Sequence, residues 1–160
     1  MKNQRQEEIS QLFSVLRKEV YVSNPNSCLL RNKAEEIADN LGITLLRRCK
    51  LDGELNNLIA LVKEAEKNLN GDLKLIYNLI IAKFTLYFTG KITLEEVERV
   101  IRLGCSLYRD SIRIKSAKFL LFLLKNNMSE IKKLKAEIRS KEAVEAVGEK
   151  EIKNFVLSID

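Results

Sequence analysis

Residues Leu73 to Phe88 read LKLIYNLIIAKFTLYF, and this stretch decides the fold. Twelve of its sixteen residues are apolar or aromatic, and they occupy nearly every direction around a helix. A helix that is apolar almost all round is buried on most of its sides. Asn70-Gly71-Asp72 marks its start and Thr89-Gly90 its end, so the sequence predicts a central core helix surrounded by amphipathic helices.

Four polar residues interrupt this helix. Lys74, Asn78 and Thr85 follow at intervals of four and seven residues, which places them on one polar strip. Lys83 lies off the strip, and we expect it to snorkel or to face a gap at a helix end. A membrane span needs about 20 mostly apolar residues, so the stretch predicts a core helix and no membrane partner.

Composition limits the function classes. The chain has 160 residues, 46% of them hydrophobic and 31% charged, which is typical of one helical globular domain. It contains no histidine, which excludes Ser-His-Asp and Cys-His catalysis and histidine-ligated metals. Cys28, Cys49 and Cys105 lack CxxC spacing, which argues against a disulfide framework and a zinc site. We expect them to be small buried residues in a reducing, cytoplasmic compartment, and we expect no cofactor. Residues 1–8 (MKNQRQEE) show no signal pattern.

Charge is concentrated in one window. Residues 99–141 carry twelve basic and three acidic side chains, whereas residues 1–70 carry eleven basic and ten acidic ones. Such asymmetry is typical of a protein with a polyanion partner, here RNA or DNA. A lysine-rich solvated surface without a partner explains the same distribution, and both interpretations stay open.

Helix starts recur along the chain. Amphipathic spacing predicts a first helix over about residues 4–20, and a second from near Asn32 to Leu41-Gly42. Thr93-x-x-Glu96 has the form of a capping box and is the clearest start. Four helices with short turns predict stacked antiparallel hairpins. Their starts lie about twenty residues apart, at Asp52, Asp72, Thr93 and Asp110-Ser111.

One stretch resembles a DNA-binding motif. Within residues 33–51, five residues match the pattern of a helix-turn-helix: Ile37, Ala38, Leu41, Gly42 and Ile43. Ala38 is the small residue where the two helices touch, and Gly42 is the glycine of the turn. The resemblance implies a recognition helix carrying Arg47 and Arg48. Arg48 stands where that motif has a buried aliphatic residue, so we favour an ordinary helix that ends at Gly42.

Another stretch resembles a tetratricopeptide unit. Within residues 76–103, the elements that carry this resemblance are Tyr77-Asn-Leu, Phe84 and Gly90-Lys-x-x-x-Glu-Glu. Ile80 and Val97 stand where that family has small residues. We therefore take from the resemblance the geometry of a helical hairpin and not membership of the family.

The last residues are highly charged. We assign residues 1–128 to a helical core and residues 129–160 to a charged C-terminal helix and tail of the same domain. The predicted fold is an all-α single-domain bundle of about six to eight helices, stacked as antiparallel hairpins around a buried central helix at residues 73–88.

No motif predicts an enzyme. Glu95, Glu96 and Glu98 cluster, but acids in the first turn of a helix favour its dipole, which explains them structurally. Arginine and lysine side chains bind phosphate groups, which makes the basic window a candidate nucleic-acid site. The candidate residues are Arg99, Arg102, Arg109, Arg113, Lys115, Lys118, Lys132 and Lys133.

Three function hypotheses follow from these observations. The first is a non-catalytic nucleic-acid-binding protein or ribonucleoprotein subunit that contacts the phosphate backbone. The second is a protein-interaction scaffold built of helical hairpins, with other protein subunits as partners. The third is a helix-turn-helix transcription regulator that uses Arg47 and Arg48.

Overall fold

A computed structural model describes residues 2–18, 52–67, 73–140 and 147–159. These residues form seven α-helices and no strand, so the predicted all-α bundle of packed helices is confirmed. The predicted second helix and the motif at residues 33–51 lie outside them. The helices are α1 (Lys2–Lys18), α2 (Asp52–Lys67), α3 (Leu73–Phe88), α4 (Leu94–Leu107), α5 (Ile112–Lys125), α6 (Met128–Ser140) and α7 (Val147–Ser158).

Helix α3 begins and ends at the residues that the sequence predicts. Every residue from Leu75 to Leu86 is buried, including Asn78 and Thr85 of the predicted polar strip. The Thr85 hydroxyl donates to the Ile81 carbonyl at 3.0 Å, so this polar group is satisfied inside the core. Because the helix is apolar on almost every side, it is buried even at the positions of its few polar residues.

The chain divides into two compact units. The middle unit comprises residues 20–107 and contains α2, α3 and α4, with α3 packed against both neighbours. Lys83 of α3 is buried, and its Nζ donates to Glu66 Oε2 of α2 at 3.1 Å. The lysine that was expected to snorkel or face a gap is therefore held by an acid on the neighbouring helix.

A short turn joins α3 to α4 in a hairpin. Gly90 adopts the left-handed region at φ +79°, and Lys91 N–H donates back to the Leu86 carbonyl at 2.9 Å. At the start of α4, the Thr93 hydroxyl accepts from Glu96 N–H at 3.4 Å. The predicted glycine stop and the predicted threonine cap are both confirmed.

The terminal unit comprises residues 1–19 and 108–160 and contains α1, α5, α6 and α7. Helix α5 packs against all three of the other helices and is the core element of this unit. Residues 129–160, expected to form a charged helix and tail, contribute α6 and α7. Ile152 and Val156 of α7 are buried, and so is Ile159 just after it, so this apolar end packs within the unit.

Candidate functional site

The excess of positive charge belongs to the terminal unit. Residues 1–19 and 108–160 carry sixteen basic and eleven acidic side chains, whereas residues 20–107 carry twelve and eleven. Within the terminal unit, residues 108–140 alone carry nine basic and three acidic side chains. This segment contains the α5–α6 hairpin, which we call the basic hairpin (residues 109–140).

Two asparagines set the geometry of the basic hairpin. Asn126 ends α5 in the left-handed region, at φ 56° and ψ 38°. Asn127 N–H donates to the Phe122 carbonyl at 3.1 Å, and Asn127 Oδ1 accepts from Glu130 N–H at 3.3 Å. Asparagine tolerates the left-handed region and caps helices well. A turn of two residues therefore closes α5 and opens α6, which makes the two helices antiparallel neighbours.

One edge of α5 is only partly buried. Nine residues of this helix are buried. Lys115, Lys118, Phe122 and Lys125 are not buried, and they follow at intervals of three, four and three residues. Residues at such intervals lie on one side of a helix. We call this stripe the lysine edge (Lys115, Lys118, Phe122 and Lys125).

The members of the lysine edge contact one another and α6. Lys118 Nζ lies 5.6 Å from the centroid of the Phe122 ring, which is a cation–π distance. Lys115 Nζ lies 3.7 Å from Glu137 Oε2 of α6. Lys115 therefore has an acidic partner, whereas the ammonium group of Lys118 lies beside an aromatic ring.

Helix α6 presents two different flanks. Lys132, Lys135 and Arg139 follow at intervals of three and four residues and form a purely basic flank. Glu130, Lys133 and Glu137 form the other flank, which meets α5 through the Lys115–Glu137 pair. Lys133 Nζ lies 3.7 Å from Glu130 Oε1, and its side chain is 73% exposed.

The basic flank borders the end of α7. Lys135 Nζ donates to the Ile159 carbonyl, which lies just after the last residue of α7. The carbonyl end of a helix attracts cations, so this contact holds the C-terminal segment against α6. Lys132 and Arg139 are exposed, and neither has an ion pair to any residue that the structure describes.

Arg113 does not lie on the surface that the sequence predicts for it. Its side chain is buried, and its Nη1 lies 2.5 Å from Glu149 Oε1 of α7. It precedes the lysine edge by two residues and so points away from it around α5. Arg113 therefore joins α5 to α7, and a phosphate group cannot reach it without unpacking α7.

The remaining arginines fall into separate groups. Arg109 is exposed in the turn before α5, at the start of the basic hairpin. Arg99 and Arg102 belong to α4 of the middle unit, where both are exposed. Arg102 Nη2 lies 2.8 Å from Glu98 Oε2, so a glutamate already holds one of them. Arg47 and Arg48 lie outside the described residues.

Sequence reasoning missed two members of the lysine edge. Phe122 and Lys125 were absent from the predicted site, although a signal for them exists in IRIKSAKFLLFLLK. In this apolar helix the lysines and Phe122 recur at helical spacing, whereas Arg113 does not fit the spacing.

Where the chain is described, no three His, Cys, Asp or Glu residues cluster as metal ligands would.

Comparisons with protein-family models, with curated proteins and with solved structures found no match to this chain. None of the helices in the described ranges combines the length and the apolar character that crossing a membrane requires.

Proposed function

We propose that this chain is a non-catalytic nucleic-acid-binding protein, or a subunit of a ribonucleoprotein complex, and that the basic hairpin contacts the phosphate backbone. The observation that carries the proposal is the segregation of charge. Residues 108–140 combine nine basic with three acidic side chains, whereas the middle unit is almost balanced. Phosphate contacts by lysine and arginine supply most of the affinity of such proteins for nucleic acid.

The placement of the cations supports the proposal. The lysine edge of α5 and the basic flank of α6 both run along their helices, which suits a linear array of phosphates. Lysine acts there as a point charge, so the contact is expected to follow the backbone rather than the base sequence.

Binding at several salt concentrations tests the proposal with Lys132→Glu/Lys133→Glu. Both lysines are exposed, so the fold should tolerate the change. Each phosphate contact contributes roughly −0.7 to the salt slope of a single strand and roughly −0.9 to that of a duplex. We expect the variant to lose affinity for labelled RNA or DNA and to show a shallower slope.

The matched control is Lys63→Glu/Lys67→Glu in α2. These two lysines are also exposed, and their reversal changes the net charge by the same amount. General attraction to a basic protein would respond equally to both variants, and equal losses would contradict the proposal. Wild-type protein that binds neither RNA nor DNA at low salt would also contradict it.

A second candidate function is the protein-interaction scaffold. The observation that favours it is the outer face of α4, where Leu103 and Leu107 are 36% and 49% exposed. Arg99 lies beside them on the same helix. If nucleic acid does not bind, this exposed face makes protein contact the better explanation of the hairpins.

The regulator hypothesis stays a prediction. Its arginines, Arg47 and Arg48, would read base edges and select a duplex sequence. Selection from a random duplex library tests it, because backbone contact alone enriches no sequence. A sequence that is enriched by the wild type and lost with Arg48→Ala would support the regulator.

A further inference from the structure

The lysine edge carries more than charge, because an aromatic ring stands among its lysines. Phe122 lies four residues after Lys118 and three before Lys125, which is about 6 Å and about 4.5 Å along the helix axis. The ring is partly exposed although α5 is otherwise the packed core of its unit. Phe119 of the same helix, by contrast, is turned fully inward, with 0% exposure.

The contact between Lys118 and Phe122 keeps the ring in place. The ammonium group lies over the ring, 5.6 Å from its centroid, which is a cation–π contact. A lysine stem is flexible and its charge can move to a phosphate oxygen. The ring face that it leaves is then open to a planar group.

We propose that the lysine edge binds single-stranded nucleic acid, with one base stacked on Phe122 and the neighbouring phosphates held by Lys118 and Lys125. This inference rests on the proposed function and adds the class of ligand. Stacking on an aromatic side chain needs an unpaired base whose face is free. In a duplex the bases are stacked on one another, so the ring adds nothing to duplex binding.

The charges around Phe122 favour this ligand over a protein partner. Lys118 Nζ lies 5.6 Å from the Phe122 ring centroid, and Lys125 follows Phe122 by three residues on the same side of the helix. Glu130 and Glu137 are paired with Lys133 and Lys115. A base with its flanking phosphates offers one planar group between two negative charges. The lysine edge offers the complementary order of cation, ring and cation along one helix side.

The first experiment measures affinity for a short uniform pyrimidine strand and for a mixed-sequence duplex of equal length. Base stacking contributes enough that Phe122→Leu should weaken single-strand binding about tenfold. Its salt slope should stay unchanged, because no phosphate contact is removed. Duplex binding should not change, and Phe122→Trp should retain the wild-type affinity for the single strand.

The matched control is Phe88 of α3. This ring is also partly exposed, and it stacks on Phe84 with the centroids 6.0 Å apart. Phe88→Leu makes the same side-chain change in the middle unit. It therefore shows the effect of losing aromatic packing when the lysine edge is unchanged. We expect Phe88→Leu to bind both probes as the wild type does.

The second experiment observes stacking directly. The chain contains no tryptophan, so Phe122→Trp and Phe88→Trp each introduce a single fluorescent indole. Bases stacked on an indole quench it. The single strand should quench Phe122→Trp at saturating concentration and leave Phe88→Trp unchanged, and polyglutamate of similar charge should quench neither.

The outcomes separate the two proposals. If Phe122→Leu binds the single strand as tightly as the wild type, or if the wild type prefers the duplex, the stacking inference is overturned. The nucleic-acid function survives that result if Lys132→Glu/Lys133→Glu still loses binding. If no nucleic acid binds, both proposals are overturned and the protein-interaction scaffold replaces them. If polyglutamate competes fully, both are overturned and an acidic protein partner replaces them.

Discussion

Helices α3 and α5 are the core elements of their units, yet they treat their cations differently. Helix α3 has one buried cation, Lys83, which Glu66 of the neighbouring helix neutralises. Helix α5 also has one buried cation, Arg113, held by Glu149, but its three lysines lie along a partly exposed edge. Two helices that are equally buried in their units therefore differ in the number of cations that they place near solvent.

The largest expected effect tests whether α3 and α5 are equally important for stability. Leu79 of α3 and Leu120 of α5 both have 0% exposure. Replacing either with alanine should lower the free energy of unfolding by about 2 to 5 kcal/mol, because each leaves a cavity in a packed core. Denaturant unfolding measures this. If Leu79→Ala left the free energy of unfolding unchanged, α3 would not be the core helix of its unit. The same result for Leu120→Ala would exclude α5 as a core helix.

The second prediction compares the ion pairs that hold the two buried cations. The Glu149 side chain is 22% exposed and that of Glu66 is 41% exposed, while both cations are below 10%. Glu149→Ala should lower the free energy of unfolding by about 2 kcal/mol, because it leaves the buried Arg113 charge without its acid. Glu66→Ala should cost about 1 kcal/mol, since that pair already lies closer to water.

Thermal and denaturant unfolding of both ion-pair variants provides the measurement. The paired variants Glu149→Ala/Arg113→Ala and Glu66→Ala/Lys83→Ala give the coupling energies. A larger coupling for the α3 pair than for the α5 pair would contradict the comparison. It would mean that exposure of the acid does not set the cost.

The third prediction concerns the residues that end the two core helices. Gly90 after α3 and Asn126 after α5 both have positive φ, at 79° and 56°. Gly90→Ala should destabilise by about 1 kcal/mol, because side chains are strained in this region. Asn126→Gly should be nearly neutral or slightly stabilising. Unfolding midpoints check both, and a harmless Gly90→Ala would show that the α3–α4 turn relaxes.

The smallest expected effect belongs to the lysine edge. Lys118→Gln removes one charge from a partly exposed position and should change the free energy of unfolding by about 0.5 kcal/mol or less. The same variant should weaken binding to a single strand, since it removes one phosphate contact. A large loss of stability instead would mean that the Lys118–Phe122 contact supports the fold.

Much of the fold is predictable from local sequence. The bounds of α3, the cap at Thr93 and the stop at Gly90 all follow from residues within a few positions of each helix end. The sequence did not predict that α5 is the core helix of its unit, because lysines at helical spacing are also typical of an ordinary amphipathic helix. Its burial depends on α1, α6 and α7 packing around it, and these contacts join residues far apart in the chain.

The candidate site was predictable in part. The charge excess of residues 99–141 is visible in the sequence, and Lys118, Lys132 and Lys133 lie at accessible positions of the basic hairpin. Arg113 was assigned to the same surface because spacing along a helix does not reveal a partner elsewhere in the chain. Glu149 lies 36 residues away, and only the packing of α7 against α5 brings it to Arg113.

The sequence by itself determined the helices, their ends and the position of the charge, because propensity, capping and composition act over a few residues. Tertiary structure alone decided which cations are buried with an acid and which form the lysine edge. The physical reason is that a buried charge needs a partner, whereas an exposed one does not. Whether a partner is near depends on how distant helices pack, and no local pattern contains that information.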